Sequence, residues 1–397
     1  MSTQFSPSPD QLSALKLASD FAFELYQNDP ACQAFIGDLG LSAVMSAEAA
    51  AALCDPLYSI DEFDDLSRAL RQTRACVMLR LIWQDALGIL TLEELTGALS
   101  SFACAAVRLS SHFATQQIVS RYELPAGSLK LYTAAMGKMG GGELNLSSDI
   151  DLVYLYPKDG ELIGASGKAH EIKLLMIKAA RIAVQLLDQR TRDGFVFRVD
   201  LRLRPWGDGS DIAVSLSALD KYLSEHGRQW ERFAWLKARL LSCGLSSGIG
   251  AKEPEVDSNL AEAFGEFSKA FEQIRTRFVY RYYVDYTAFA ALREMKNLIL
   301  KQVVQRGDAS NVKLGAGGIR DIEFVVQAHQ LIYGGRDPEL QVHGTLEALV
   351  QITEAGYVEA EQASLLEQAY RFLRRLLSWS FHLILCCHRL IGHIQHF

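Results

Sequence analysis

The sequence predicts a helix-dominated α+β protein, with a small α/β domain set between two helical regions. Three observations predict it. Ala- and Leu-rich stretches with apolar residues at three- and four-residue spacing fill the chain before Tyr122 and again after Leu216. Between them lie alternating runs, "LKLYTAAMG", "DIDLVYLYP" and "GFVFRVDLRLRP", each stopped by glycine or proline. The segment "KAHEIKLLMIKAARIAVQLLDQRT", between the last two runs, has the apolar stripe of an amphipathic helix.

In chain order, residues 1–125 form the first helical region, with "SALKLASDFAFELY" and "LTGALSSFACAAVRLSSHFATQQIVSRY" as its clearest helices. The Pro and Gly of "ELPAGSLK" mark a boundary. Residues 126–245 then read strand, Gly-rich turn, strand, helix, strand, which describes the α/β domain. A second helical region covers 246–375. The last stretch, 376–397, is atypical: "LLSWSFHLILCCHRLIGHIQHF" carries no acidic residue and crowds histidines beside two cysteines.

A formal net charge of −7 argues against a general nucleic-acid binder, which gains affinity from basic surfaces. The seven cysteines are odd in number and form no CxxC pair, a pattern suited to a reducing compartment. No basic segment leading into an apolar core opens the chain, and no apolar run of about 18 residues occurs. The expectation is a cytoplasmic protein that neither spans a membrane nor binds nucleic acid.

The chemistry concentrates in "GKMGGGELNLSSDIDLVYLY", Gly137 to Tyr156. Alternate strand residues share a face, so Asp149 and Asp151 present two carboxylates together while Ile150 and Leu152 turn to the core. Like charges so close repel unless a cation lies between them. Hard ions such as Mg²⁺ take oxygen ligands and keep substrate phosphates as further ones. Asp200, in "FRVDLRLRP", is the candidate third carboxylate on a neighbouring strand. The turn opened by Gly137 and Lys138, with Ser148 beside the aspartates, can cradle a phosphate through backbone N–H groups. On that strand Arg202 and Arg204 share the face of Asp200, at i+2 and i+4, and can bind further phosphate oxygens. Against this stands the bland reading that a lone Asp-x-Asp is a solvated strand start. No P-loop pattern and no HExxH occurs.

The spacing from Gly137-Lys138 to Asp149-x-Asp151 resembles the nucleotidyltransferase (DNA polymerase β-like) superfamily. With "FRVDLRLRPWGDGSDIAVSLSALDKYLSEHGRQWERFAWLKARLL" and "KLGAGGIRDIEFVVQAHQLIYGG", the chain from about residue 130 to 375 is similar to one family, the bifunctional glutamine synthetase adenylyltransferase/adenylyl-removing enzymes. The resemblance is to their N-terminal, adenylyl-removing half. It implies a catalytic domain at 126–245 in which Asp149, Asp151 and Asp200 hold Mg²⁺. It implies phosphate attacking an adenylyl-tyrosine of glutamine synthetase to release ADP, with a PII-type signal protein as regulator. Two departures stand out: no second catalytic domain follows, and the tail from Leu376 replaces the charged continuation expected there. The rival readings are the reverse reaction, adenylyl transfer from ATP, and a silent module that binds PII or glutamine synthetase.

"KLGAGGIRDIEF" reads either as an anion-binding nest with Arg320 towards the anion, or as a Gly-rich loop packing a helix on the catalytic domain. Arg228, Arg232, Lys237 and Arg239 read either as lining the phosphate side or as a solvated helix face over Trp230, Phe233 and Trp235. The tail's His382, Cys386, Cys387, His388, His393 and His396 match no standard zinc spacing.

Overall fold

A computed structural model describes residues 5–241, 258–281 and 312–394, with 258–261 and 378–394 as helix backbone only. From Pro9 to Arg121 the chain is mainly helical, as expected: α1 (Pro9–Ala18), α2 (Asp20–Asn28), α3 (Pro30–Leu39), α4 (Ala47–Ala52), α5 (Phe63–Ala86) and α6 (Leu92–Arg121). Capping boxes start two of them, Ser8 with Gln11 and Thr91 with Glu94, each satisfying otherwise orphaned N–H groups. The middle of α6 is buried on nearly every side, which its Ala98, Ser100, Ser101, Ala103, Ala105 and Ala106 permit by bringing neighbours close.

A mixed sheet follows, built from β1 (Tyr132–Ala135), the four-residue helix α7 (Gly137–Gly140), β2 (Ile150–Tyr156), a small hairpin β3 (Glu161–Ile163) and β4 (Ala169–Glu171), α8 (Ile172–Asp188), β5 (Val199–Asp200), β6 (Ala213–Ser215), α9 (Leu216–Glu225), α10 (Gln229–Leu236) and β7 (Arg239–Leu240). The strand order is β5-β2-β1-β7, with β6 also on β2. β1 runs antiparallel to β2, whereas β5 and β6 run parallel to it.

The pleat sends alternate residues to two different cores. Leu152, Tyr154 and Tyr156 join Phe102, Leu109, Leu175 and Leu186 of α6 and α8. Val153 and Leu155, with Tyr132, Ala134 and Met136, meet Leu219, Tyr222 and Trp235 of α9 and α10, and Phe267 and Phe271 of α11 (Ser258–Val279). The first core runs unbroken from Leu15 to Leu241, so apolar packing crosses the boundary read at 125/126. Then come α12 (Ile319–Tyr333), α13 (Thr345–Glu354) and α14 (Ala360–Ile394), whose backbone passes Leu376 without a break. The tail's Cys and His side chains lie outside the described residues.

Three local expectations need correction. The run "GFVFRVDLRLRP" yields a strand of only two residues, because the Asp200 carboxylate accepts the Arg202 N–H at 2.9 Å and turns the chain out of the ladder. The amphipathic helix starts at Ile172 rather than near Lys168, since Ala169–Glu171 pair with β3. Short strands β6 and β7 occupy sequence without a strand signal of its own.

Candidate active site

The glycine-rich stretch joins the end of β1 to the start of β2. The Met136 N–H bonds to the Asp151 carbonyl at 2.9 Å, which closes the turn against the aspartate-bearing strand. Gly137 has a φ of +55°, and a Cβ added there would lie 2.7 Å from Asp151 Oδ2. Gly140 answers a different demand, as its Cβ would fall 1.9 Å from the Lys237 carbonyl oxygen. One glycine thus makes room for a carboxylate and the other for a crossing backbone.

Asp151 is directly opposite Asp200 in the parallel register of β2 and β5. Asp149 immediately precedes β2 and pairs with Arg198, which also donates to the Ser147 carbonyl at 2.7 Å. Asp200 is held by Arg202 through Nε, at 2.9 and 3.0 Å, and Nη2, at 2.5 Å. The Arg202 hydrogen bond holds Asp200 below the usual carboxylate range. Asp151 has no such partner. Burial, then the charges of Asp200 and Asp149, push it up to about 6, with Lys313 and Arg202 opposing.

The other expected ligands are placed as follows. Burial, with Arg374 next, lowers Lys138 to about 7, while Glu323 opposes. The Ser148 hydroxyl accepts the Asn145 N–H at 3.1 Å and closes the loop before the aspartates. Arg204 is turned into its own loop, donating to the Leu201 carbonyl at 2.8 Å. Arg320 is exposed on the first turn of α12. Lys313 is the residue of that glycine-rich segment whose charge reaches Asp151, Lys138 and Glu323.

Of the basic residues in "GRQWERFAWLKARLL", Arg228 is exposed, whereas the other three stitch the fold instead of forming a solvated face. Arg232 binds the Val279 carbonyl, Arg239 the Gly140 carbonyl at 3.0 Å, and Lys237 the Glu143 carboxylate at 2.7 Å. Trp235 is buried beneath them, but Trp230 is exposed.

Sequence reasoning missed a buried polar group next to the site. Glu143 accepts from Lys237 Nζ and from the Thr345 backbone N–H. Arg374 of α14 binds the Asn145 amide oxygen at 3.0 Å and the Glu143 carbonyl at 2.6 Å. Glu323 lies 3.7 Å from Lys237. Burial alone would lower Lys237, yet Glu143 and Glu323 more than offset it and hold the ammonium charged. The "EL" after the glycines and the "DIEF" of α12 carried the only available signal, acidic residues inside apolar context.

What can this arrangement hold? Among the described residues no three His, Cys, Asp or Glu side chains converge closely enough to grip an ion, and Asp149 and Asp200 are paired with Arg198 and Arg202. The donor set is nonetheless that of a hard cation which completes its shell with water and substrate oxygens. Asp151 supplies an uncompensated carboxylate in a cradle that a Cβ at Gly137 would fill. These carboxylates are of the chemical kind that suits Mg²⁺.

Residues 10–253 match the family model described as glutamate-ammonia ligase adenylyltransferase, and residues 293–384 match the one described as GlnD PII-uridylyltransferase. The chain is 44% identical to the bifunctional glutamine synthetase adenylyltransferase/adenylyl-removing enzyme of Acinetobacter baylyi, over 81% of this chain and 33% of that protein. The enzyme of the same name from Stenotrophomonas maltophilia is 39% identical over 92% of the chain and 36% of its own length. That from Vibrio parahaemolyticus is 39% identical over 79% and 32%. The chain spans about a third of the length of the curated relatives it matches.

Proposed function

The chain belongs to the glutamate-ammonia ligase adenylyltransferase family, and from that premise we propose that it strips AMP from adenylylated glutamine synthetase by phosphorolysis. In this reaction an oxygen of inorganic phosphate bonds to the adenylyl phosphorus. The bond from that phosphorus to the tyrosine oxygen breaks, ADP leaves, and the tyrosinate takes a proton. The observation that carries the reading is the register of Asp151 opposite Asp200, with Asp149 two residues upstream and the Gly137 turn closed on Asp151.

In this proposal Asp149, Asp151 and Asp200 hold Mg²⁺. A cation held there would supply positive charge to the transferring phosphoryl group and the departing tyrosinate oxygen. Arg198 and Arg202 release their carboxylates and turn to phosphate oxygens, as guanidinium forks bind either anion. Lys313, whose charge reaches Asp151, and Lys138 of the Gly137 turn attract the incoming phosphate. Gly137 keeps the approach to Asp151 open. Glutamine synthetase is the protein substrate and a PII-type signal protein the regulator. The likeness of residues 293–384 to a PII-uridylyltransferase family supports a tie to that signalling chemistry.

The test is mass spectrometry of adenylylated glutamine synthetase incubated with this chain, Mg²⁺ and phosphate. Loss of AMP from the synthetase with ADP appearing, both dependent on phosphate, is expected. Free AMP as product would identify water as the nucleophile. Transfer of label from ATP to the unmodified synthetase would replace this reading with adenylylation.

A further inference from the structure

Trp206 stands in the segment "RPWGDGSD" that leads from Asp200 to β6. Its φ of +61° and ψ of +6° put a bulky side chain in the left-handed region, where such residues are rare and strained. Half of the residue is exposed. An exposed indole on a strained backbone gains little from burial, so the fold must hold it there by other means.

Those means are visible. Tyr222, on which the indole rests, is itself fixed by donating its hydroxyl to Glu231 at 2.7 Å. The Gly207 N–H bonds to the Arg204 carbonyl at 2.9 Å, and the Ser210 hydroxyl bonds to the carbonyls of Pro205 and Gly207. The indole leans on Tyr222 with ring centroids 4.7 Å apart at 59°, and His226 lies 6.4 Å beyond. A tilted neighbour supports the ring without covering it face to face.

Its position relates it to the aspartates. Asp151 shares a pleat face with Val153 and Leu155, and those two residues pack with Tyr222 in one core. Trp206 rests on that same Tyr222, so the indole borders the sheet face that carries Asp151. Only five residues separate it from Asp200 in sequence.

We infer that Trp206 is a binding platform for the purine ring of the adenylyl group, stacking the base while the aspartates and arginines take the phosphate. The inference rests on the phosphorolytic reading, since it needs an adenine nucleotide in this site. Aromatic stacking on a base tolerates many bases and lends affinity more than selectivity.

The test is calorimetric titration of the full chain with ADP and Mg²⁺, and separately with pyrophosphate and Mg²⁺. Trp206→Gly removes the ring and relaxes a backbone that glycine adopts freely, and Trp206→Phe keeps an aromatic surface. ADP affinity should fall about tenfold or more in the glycine variant and stay near wild type in the phenylalanine variant. Pyrophosphate affinity should be equal in all three. Unchanged ADP binding in Trp206→Gly overturns the platform and leaves phosphorolysis standing. A parallel loss of pyrophosphate binding overturns it too, by showing that Trp206 acts through the loop's shape. Failure of the unaltered chain to bind ADP overturns both readings.

Discussion

Two clusters of buried charge sit at opposite ends of one loop, and they are built on opposite rules. At Glu143 the charges are matched: its carboxylate meets Lys237 and the Thr345 N–H, while Arg374 grips the backbone beside it. At Asp151 they are mismatched: the charges of Asp200 and Asp149 act on it, those two are covered by arginines from the same segment, and Asp151 keeps a raised proton affinity. Matched charges fasten α12 to α14 onto the glycine-rich loop. The mismatched set is poised for something the chain itself does not supply. A stretch of fewer than twenty residues thus contains both a clamp and the proposed cation site.

Removing one partner from the clamp is the most damaging change to the fold. Glu143→Ala leaves Lys237, only 7% exposed, without its nearest carboxylate. A stability loss of about 3–5 kcal/mol is expected, as for other broken buried pairs. A urea denaturation series measures it, and a loss under about 1 kcal/mol would erase the distinction between the two clusters.

Neutralising the mismatched cluster should do the reverse. Asp151→Asn removes a carboxylate that its neighbours oppose, so the metal-free chain should melt at a higher temperature than wild type. Phosphorolysis should fall to background in the same variant. A lower melting temperature would mean that Asp151 is structurally paired after all.

Acidity sharpens the same contrast. The folded chain binds the Asp151 proton more tightly than the unfolded chain does, because its value is raised from 3.8 to about 6. That contribution to stability is complete below the unfolded value and is lost as pH rises through the folded one. Wild type should therefore lose stability relative to Asp151→Asn between about pH 4 and 6, with no further divergence above. Paired denaturation curves across that range check the sign.

The smallest effect should come from Asp149→Asn. Its pair with Arg198 is about half exposed on both sides, and exposed pairs contribute about 0–1 kcal/mol. Melting should barely move, whereas activity should fall sharply if Asp149 ligates the metal.

How much of this could be read from the sequence follows the range of the forces involved. The long helices and the Asp149-x-Asp151 face were legible because caps and strand alternation are local. The stop after Asp200 was not, because it turns on one carboxylate bonding the N–H two residues on. Nor was the hairpin of β3 and β4, where no residue is buried and no apolar alternation marks it. The clamp was the least legible. Lys237 and Glu143 are 94 residues apart, and Glu143 and Thr345 are 202 apart, so only tertiary packing makes them a unit. In the sequence alone Lys237 reads like any solvated helix lysine, and Lys313 is overshadowed by Arg320.

Metal-linked melting tests, without substrate, whether the mismatched cluster is a cation site. The unaltered chain is heated at neutral pH with and without Mg²⁺, alongside Asp151→Asn and Asp200→Asn. Mg²⁺ should raise the melting temperature of the unaltered chain and leave both variants where they were. An equal rise in all three, or none in the unaltered chain, would contradict it.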